Sequence, residues 1–251
     1  MRALVLAAGY GTRLGDLTRD LPKPMLPLQG RPLLEYILHH LRRHGFNQVA
    51  INLHFHPEVI RDYFGDGSSM DMELSYSIER TLLGTAGALK QMEPFLAEEE
   101  IFLVQYGDVL TDQDLGLLVE CQRTRQALAA LIVHSRPESN SVVTFDQAGC
   151  IHQFLERPTA AERRGVASQW VNSGICVCAR EILQHIPAGV PSDLPRDIFC
   201  KLVSTGRLYA VPLSGYRCAI DSAARFAEAE SALADGRCQP GTRPPSMEAD
   251  P

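Results

Sequence analysis

The sequence predicts an α/β fold built on a doubly wound, mostly parallel sheet, and two observations lead to this class. Short apolar runs alternate with amphipathic segments over the first half of the 251 residues. The runs are short and nearly free of charge, as expected for parallel strands that helices cover on both faces. A β-α repetition of this kind folds through right-handed crossovers into one parallel sheet.

The first half of the chain supplies most of the predicted sheet. Helices are expected where apolar residues recur at helical spacing, as at Leu34, Ile37 and Leu41 ahead of Gly45. The predicted strands are Arg2–Ala8, Gln48–Leu53, Glu73–Ile78, Ile101–Tyr106 and Ala127–His134, and the predicted helices are Pro32–His44, Pro57–Phe64, Thr85–Met92 and Asp112–Arg125.

After Ser135 the regular alternation stops and a smaller lobe over one end of the sheet is expected. A hairpin is predicted around Gln147-Ala148-Gly149, followed by a strand over Trp170–Ala179. Residues 1–234 should form one domain, and 235–251, rich in Pro, Gly and charge, a disordered tail. The other predicted elements are the helices Leu194–Ser204 and Ala223–Ala234 and the strand Leu208–Pro212.

Composition excludes several classes of partner. The 24 Lys and Arg against 30 Asp and Glu give a net charge of −6, which argues against a general nucleic-acid binder. The apolar runs are too short to cross a membrane, and the one at the N-terminus predicts a first strand rather than a secretory leader. Seven cysteines without a C-x-x-C pair fit reduced thiols in a cytoplasmic protein. The sequence leaves open whether the protein is a monomer or a homo-oligomer.

A glycine-rich loop follows the first predicted strand. Its sequence is Gly9-Tyr10-Gly11-Thr12-Arg13-Leu14, and glycines there allow backbone N–H groups to approach phosphate oxygens. The dinucleotide pattern G-x-G-x-x-G fails because Leu14 stands at the third glycine. A plain tight turn therefore remains an alternative. Arg13, and Lys23 between two prolines, favour binding of a polyphosphate.

This segment carries a family resemblance. Leu6–Leu14, Leu17-Thr18 and Leu21–Pro27 together resemble the motif of the sugar-1-phosphate nucleotidyltransferases, and the similarity continues to about residue 230. The resemblance implies a Rossmann-like nucleotidyltransferase fold with a small sugar-binding lobe. It also implies that Arg13 and Lys23 act as catalytic residues on the phosphates, in a loop whose nucleotide-binding residues include Ala8, Gly9, Gly11 and Thr12.

The same resemblance assigns a base-recognition turn and a metal site. Gly84, Thr85 and Gly87 of Leu83–Gly87 would meet the base, although the turn could also be a helix start with Thr85 as its cap. Asp108, after a central strand, and Asp221 resemble the aspartates that hold Mg²⁺ in the family. Asp108 could otherwise be a helix or turn cap, and Ser222-Ala223-Ala224 departs from the usual family sequence after Asp221.

Two further segments resemble the family's sugar-binding side. In Phe154-Leu155-Glu156-Arg157-Pro158, Glu156 would accept hydrogen bonds from sugar hydroxyls. Arg157 would replace a lysine that faces phosphate, with a fork of donors instead of a point charge. Asn172 of Val171-Asn172-Ser173-Gly174 would also bind the sugar. Ordinary turns at strand ends are the alternative for both segments.

The resemblance implies an enzyme that makes a nucleoside-diphosphate sugar and pyrophosphate from a nucleoside triphosphate and a sugar 1-phosphate. It favours GTP with mannose or D-glycero-D-manno-heptose 1-phosphate; a uridylyltransferase for N-acetylmuramate or another sugar 1-phosphate is the alternative. A function of another class is a non-catalytic regulatory subunit that binds nucleotide sugar. That function predicts loss of Arg13, Lys23 or Asp108, and all three are present.

Overall fold

The computed structural model describes residues 1–137, 139, 141–166 and 168–240. Strands and helices alternate along the first half of the chain, as the sequence predicts. The strands are β1 (Arg2–Leu6), β2 (Pro27–Leu28), β3 (Arg31–Pro32), β4 (Gln48–Leu53), β5 (Glu73–Ile78), β6 (Ile101–Tyr106), β7 (Val109–Thr111), β8 (Ala129–Ser135), β9 (Ser141–Phe145), β10 (Ile151–Glu156), β11 (Trp170–Ala179), β12 (Leu208–Pro212) and β13 (Arg217–Ala219).

The helices cover both faces of the sheet. They are α1 (Leu33–Arg43), α2 (Pro57–Phe64), α3 (Gly84–Gln91), α4 (Glu93–Leu96), α5 (Gly116–Arg125), α6 (Cys200–Leu202) and α7 (Ala223–Ala234). Short 3₁₀ helices cover Thr12–Thr18, Lys23–Met25, Ser68–Met70, Arg180–His185 and Val203–Thr205, and a π-helix covers Leu194–Phe199. Within the described ranges, no helix is both long and apolar enough to cross a membrane.

Among the described residues, nine strands form one mixed sheet. The strand order is β10-β9-β11-β6-β1-β4-β5, and β8 lies between β11 and β12. β1 runs parallel to β4 and β6, β4 parallel to β5, and β8 parallel to β12. The α/β class predicted from the sequence is confirmed.

The predicted small lobe is an extension of the main sheet. β11 pairs antiparallel with β6 and β8, and its first residue, Trp170, pairs with Val143 of the β9–β10 hairpin. Two apolar cores pack against the two faces of the sheet. One contains the buried side of α1, and the other contains Phe102 and Phe199, both nearly inaccessible to solvent.

The region around Asp112 differs from the prediction. α5 begins at Gly116 rather than at Asp112, because Asp112 follows directly on the unpredicted strand β7, which pairs antiparallel with β13. Asp112 serves this pairing, since its Oδ1 accepts a hydrogen bond from the Tyr216 amide at 2.6 Å. Asp114 lies two residues before α5, and its Oδ1 accepts a hydrogen bond from the Gly116 amide at 2.8 Å.

The predicted disordered tail is wrong for its first residues. Cys238 is only 2% exposed in the core beneath β7, and its amide donates to the Ala232 carbonyl at 3.0 Å. The Gln239 amide donates to Oδ2 of Asp112 at 3.0 Å. One buried cysteine in a polar segment gives no periodic signal, so the sequence pattern missed this docking. Residues 241–251 lie outside the described residues.

Candidate active site

The glycine-rich loop lies at the carboxyl end of β1, where it lines a cavity of about 420 Å³. Gly11 has a φ of +69°, and a Cβ there would lie 3.1 Å from the Cβ of Lys23. Glycine at this position therefore lets the loop close on the segment that carries Lys23. Predicted site residues in the wall of this first cavity are Ala8, Gly9, Gly11, Thr12, Arg13, Lys23, Gly84, Thr85 and Asp108.

Lys23 and Asp108 form an ion pair inside the site. The Gly107 amide donates to the Leu6 carbonyl at 2.9 Å, and a Cβ on Gly107 would lie 2.8 Å from that oxygen. The glycine thus allows the end of β6 to lie tightly beside the end of β1, which brings Asp108 over the loop. Nζ of Lys23 lies 2.6 Å from Oδ2 of Asp108.

Asp221 is brought beside Asp108 by the β7–β13 pair. The Ile220 amide donates to the Asp108 carbonyl at 2.9 Å, and Ala219 pairs with Val109. Asp108 and Asp221 both line a second cavity of about 620 Å³. Within the described part of the chain, no group of three or more His, Cys, Asp or Glu side chains could hold a metal. Two carboxylates are nevertheless the donor set that Mg²⁺ uses when substrate phosphates and water complete its shell.

The turn at Gly84 is shaped by a neighbouring loop. Gly84 has a φ of +73°, and a Cβ there would lie 2.4 Å from the Ser192 carbonyl oxygen. That oxygen accepts hydrogen bonds from the amides of Ala86 at 2.9 Å and Gly87 at 3.2 Å. Gly87 is buried, and a Cβ there would lie 2.9 Å from the Cβ of Leu83. The Ser192 carbonyl therefore accounts for Gly84 and the Leu83 side chain for Gly87, which lies behind the cavity wall rather than in it.

Thr85 neither caps α3 nor presents a free hydroxyl to the cavity. Its Oγ1 donates to Oδ2 of Asp193 at 3.1 Å and accepts from the Leu194 amide at 2.6 Å. Through these two hydrogen bonds, the Thr85 hydroxyl connects α3 to the start of the π-helix at Leu194. The cap predicted as the alternative role of Thr85 is wrong, because α3 begins at Gly84 and receives no side-chain cap.

Asn52 and Glu79 are site residues that sequence reasoning missed. Oδ1 of Asn52 accepts from the Ala7 amide at 2.7 Å, and its Nδ2 donates to Oε1 of Glu79 at 2.8 Å. Oε2 of Glu79 accepts from the Leu83 amide at 2.9 Å. Both side chains are buried in the wall of the first cavity. The available signal was their position at the carboxyl ends of two neighbouring parallel strands, where ligands bind in such sheets.

The predicted sugar-binding residues lie in different places. Glu156 and Asn172 line the second cavity. Burial, and next the charge of Asp193, raise the pKa of Glu156. Oδ1 of Asn172 accepts from the Gly174 amide at 3.2 Å, within a bulge of β11. Arg157 has a φ of +52° and a side chain that is 74% exposed, and it lines a neighbouring groove instead of the second cavity.

Three arginines of the second cavity were not predicted: Arg136, Arg163 and Arg217. The Arg163 guanidinium donates to the Ser139 carbonyl at 2.6 Å. Arg217, Ala219 and Asp221 all line the cavity, as expected for alternate residues that share one face of a strand. The two cavities share Arg13, Tyr106 and Asp108 and therefore meet at that point.

A family model described as nucleotidyl transferase matches residues 2–216. The chain belongs to the nucleotidyl transferase family. Among its relatives is a UTP–glucose-1-phosphate uridylyltransferase of Synechocystis sp., 37% identical over 228 residues. That match covers 84% of this chain but only 58% of the relative, so the chain spans little more than half of that protein.

A shorter relative carries the name of a guanylyltransferase rather than a uridylyltransferase. The D-glycero-α-D-manno-heptose 1-phosphate guanylyltransferase of Campylobacter jejuni is 39% identical over 182 residues, covering 72% of this chain and 77% of the relative. A crystal structure of a Bacillus anthracis protein, provisionally classed as a glucose-1-phosphate thymidylyltransferase, shares the fold. Its TM-score is 0.83 at 21% identity, over 94% of this chain and 96% of that one.

Proposed function

We propose that this chain transfers a nucleotidyl group from a nucleoside triphosphate to a sugar 1-phosphate and releases pyrophosphate. The observation that carries the proposal is the meeting of two cavities at Arg13, Tyr106 and Asp108, with Lys23 beside the first and Asp221 beside the second. The glycine-rich loop of the first cavity suits a triphosphate. The second cavity, with Glu156, Asn172 and several arginines, suits a phosphorylated sugar. Both relatives carry names of this reaction class.

The chemistry requires placement and charge more than a nucleophilic side chain. An ionised oxygen of the sugar phosphate attacks the α-phosphorus, a new P–O bond forms, and the bond to the pyrophosphate oxygen breaks. The attacking oxygen needs no base, so the protein must bring two anions together in line and neutralise their charge. The proposal assigns Arg13, at the junction of the cavities, to the group transferred and Lys23 to the leaving phosphates.

Mg²⁺ is the cofactor proposed for this reaction, with Asp108 and Asp221 as its protein ligands. When bound, it would reduce the repulsion between the two phosphate-bearing substrates. Lys23 holds one oxygen of Asp108 through the ion pair described above. The other Asp108 oxygen and both oxygens of Asp221 remain as the donor set. We also propose that Glu156 and Asn172 bind sugar hydroxyls.

For the nucleotide we propose GTP, on the strength of the buried Glu79 carboxylate in the first cavity. Guanine presents donors at N1 and N2 side by side, which a carboxylate accepts well, whereas uracil presents a single donor at N3. Glu79 already accepts from Asn52 and the Leu83 amide, and a carboxylate has about four acceptor sites, so capacity remains. The Campylobacter relative is named a heptose 1-phosphate guanylyltransferase, which favours GTP with heptose 1-phosphate as acceptor. We propose mannose 1-phosphate as the other acceptor, because it shares the manno configuration.

A uridylyltransferase acting on a glucose, N-acetylmuramate or other sugar 1-phosphate is the second candidate, because the Synechocystis relative carries a uridylyltransferase name. A non-catalytic subunit is disfavoured, since Arg13, Lys23 and Asp108 lie together at one site. We also propose a cytoplasmic location, in keeping with seven cysteines that are all free.

Pyrophosphate release, measured with each of the four common triphosphates against a panel of sugar 1-phosphates in Mg²⁺, tests the reaction class. Release that depends on both a triphosphate and a sugar 1-phosphate is the expected result. Binding of nucleotide sugar without pyrophosphate release from any pair would instead support the regulatory subunit. The pair with the highest kcat/KM then identifies the base and the sugar.

A further inference from the structure

Arg217 carries a charge that the ion pairs of the described residues do not balance. It is half-buried in the wall of the second cavity. Its Nε and Nη2 donate to the Ser173 carbonyl oxygen at 3.3 and 3.1 Å, and it forms no ion pair with any described carboxylate. A guanidinium has five N–H donors, so three of them remain for a ligand.

Other cations surround the same place. Burial is the main cause that lowers the pKa of Arg217, and Arg225 and Arg136 lower it further, while Asp108 acts in the opposite direction. Burial and the charges of Arg217, Arg136 and Arg225 lower the pKa of His134 to about 4, so this histidine is neutral at pH 7. Of these arginines, Arg225 is paired with Glu228 at 2.8 Å. Arg136 and Arg217 both face the cavity.

Arg217 is held in a fixed position. Ser173 is completely buried, and its hydroxyl is hydrogen-bonded to Nδ1 of His134 at 2.8 Å. Its carbonyl, at the bulge of β11, receives the two Arg217 bonds. A half-buried cation without a counter-ion is costly unless an anion binds beside it. The planar fork of arginine suits a phosphate group, which can accept two parallel hydrogen bonds.

We propose that Arg217 binds the phosphate of the sugar 1-phosphate acceptor, assisted by Arg136. This inference rests on the proposed function and names a binding residue for its acceptor. Arg217 lines the second cavity and not the first, so the triphosphate in the glycine-rich loop is the less suitable ligand. Asp108 lies close enough to influence the Arg217 charge, which places the bound phosphate near the junction of the cavities.

The test compares Arg217→Gln with the control variant Arg225→Gln, which also removes one arginine. Arg225 contributes to the same positive electrostatic field, but it is paired with Glu228 and does not line the second cavity. With the best sugar 1-phosphate from the panel, Arg217→Gln should raise its KM by about tenfold or more. The KM for the triphosphate should stay within about twofold. Arg225→Gln should change neither value. An unchanged acceptor KM in Arg217→Gln, or equal rises in both KM values, would overturn the proposal.

Inorganic phosphate supplies a readout that does not depend on turnover. It should raise the melting temperature of the wild-type protein and of Arg225→Gln, and raise that of Arg217→Gln much less. Equal shifts in all three proteins count against the proposal. If Arg217→Gln does not fold, Arg217→Lys carries the test: it keeps the charge but loses the fork, so the acceptor KM alone should rise. A wild-type protein that binds phosphate through Arg217 but converts no sugar 1-phosphate would refute the proposed function.

Discussion

Nζ of Lys23 lies 2.6 Å from Oδ2 of Asp108, across 85 residues of sequence. The two side chains are 11% and 29% exposed, so each charge is partly removed from water and depends on the other. Removal of either partner leaves an unbalanced charge in the site, which is costly. The proposed roles of Lys23 and Asp108 in phosphate and Mg²⁺ binding would therefore be linked to the stability of the fold at this pair.

Asp108→Asn should lower turnover by about 100-fold or more, because it removes half of the carboxylate pair proposed to hold Mg²⁺. Turnover at saturating Mg²⁺ is the measurement. Asp16→Asn is the control, since Asp16 lies near the same loop but is exposed and paired only with the exposed Arg19 among the described residues. Near-normal turnover of Asp108→Asn would remove this residue from the proposed metal site.

Lys23→Ala and Arg13→Ala should differ in their effects on triphosphate binding, turnover and stability. Lys23→Ala should weaken triphosphate binding and destabilise the fold by about 1–3 kcal/mol, because Asp108 loses its partner. Arg13 is exposed at the junction, so its removal should lower kcat more than nucleotide affinity and leave the melting temperature unchanged. Steady-state kinetics and urea denaturation of both variants give the comparison. Normal kinetics in both would mean that the loop is only a turn.

Gly84→Ala should destabilise the protein by about 1–3 kcal/mol more than Gly189→Ala. Both glycines have a similar positive φ, +73° and +69°, so both substitutions introduce the same backbone strain. Only at Gly84 does the added Cβ meet a backbone oxygen, at 2.4 Å, whereas nothing lies within 4 Å at Gly189. Equal losses in urea denaturation would show that the contact with Ser192 is not limiting.

Stability should fall as the pH drops from 6.5 towards 4. Burial, aided by His44, lowers the pKa of His40 from 6.5 to about 4. Above pH 6.5, His40 is neutral in the folded and in the unfolded protein. Between pH 6.5 and 4, the unfolded protein binds a proton at His40 and the folded protein does not. The loss from this residue is about 2 kcal/mol between pH 8 and pH 5. Urea denaturation at pH 8 and pH 5 measures the loss of unfolding free energy between the two values. In His40→Asn that loss should be smaller by the contribution of His40. An equal loss in the variant and the wild type would contradict the lowered pKa of His40.

Glu79→Gln should reduce the preference for GTP. In competition at equal concentrations, the wild-type protein should use GTP at least about tenfold better than UTP, because a mismatched base edge leaves buried groups unpaired. The variant keeps the shape of the side chain but replaces one acceptor oxygen with a donor, so the ratio should fall towards one. A wild-type preference for UTP would reverse the proposed base and favour the uridylyltransferase.

Local pattern determined what could be predicted. The strands over Gln48–Leu53, Glu73–Ile78 and Ile101–Tyr106 have the predicted bounds, because turn residues flank short segments that are mostly apolar or, at Glu73–Ile78, alternate polar and apolar residues. The meeting of Arg13, Lys23 and Asp108 at one cavity agrees with the family motif.

The differences between the predicted and the observed structure arise from contacts between segments that are distant in sequence. The strand β7 was not predicted, because its pairing depends on β13, about 105 residues further along the chain. The roles of Gly84 and Thr85 depend on residues 192–194, whose approach no local pattern reveals. Arg217 was missed because a single arginine in a short strand carries no signal until its neighbours in space are known.

The pairing of β7 with β13 also sets the order in which the site can be assembled during synthesis. The hydrogen bond from Oγ1 of Thr111 to the Tyr216 carbonyl, 2.7 Å long, spans 105 residues. Closing so long a loop is entropically expensive and slow compared with the local β-α pairings. A nascent chain released only as far as β12 contains every residue that lines the first cavity, which is proposed to hold the triphosphate. It still lacks Asp221 and Arg217, so the growing polypeptide should bind triphosphate well before it can join it to a second substrate.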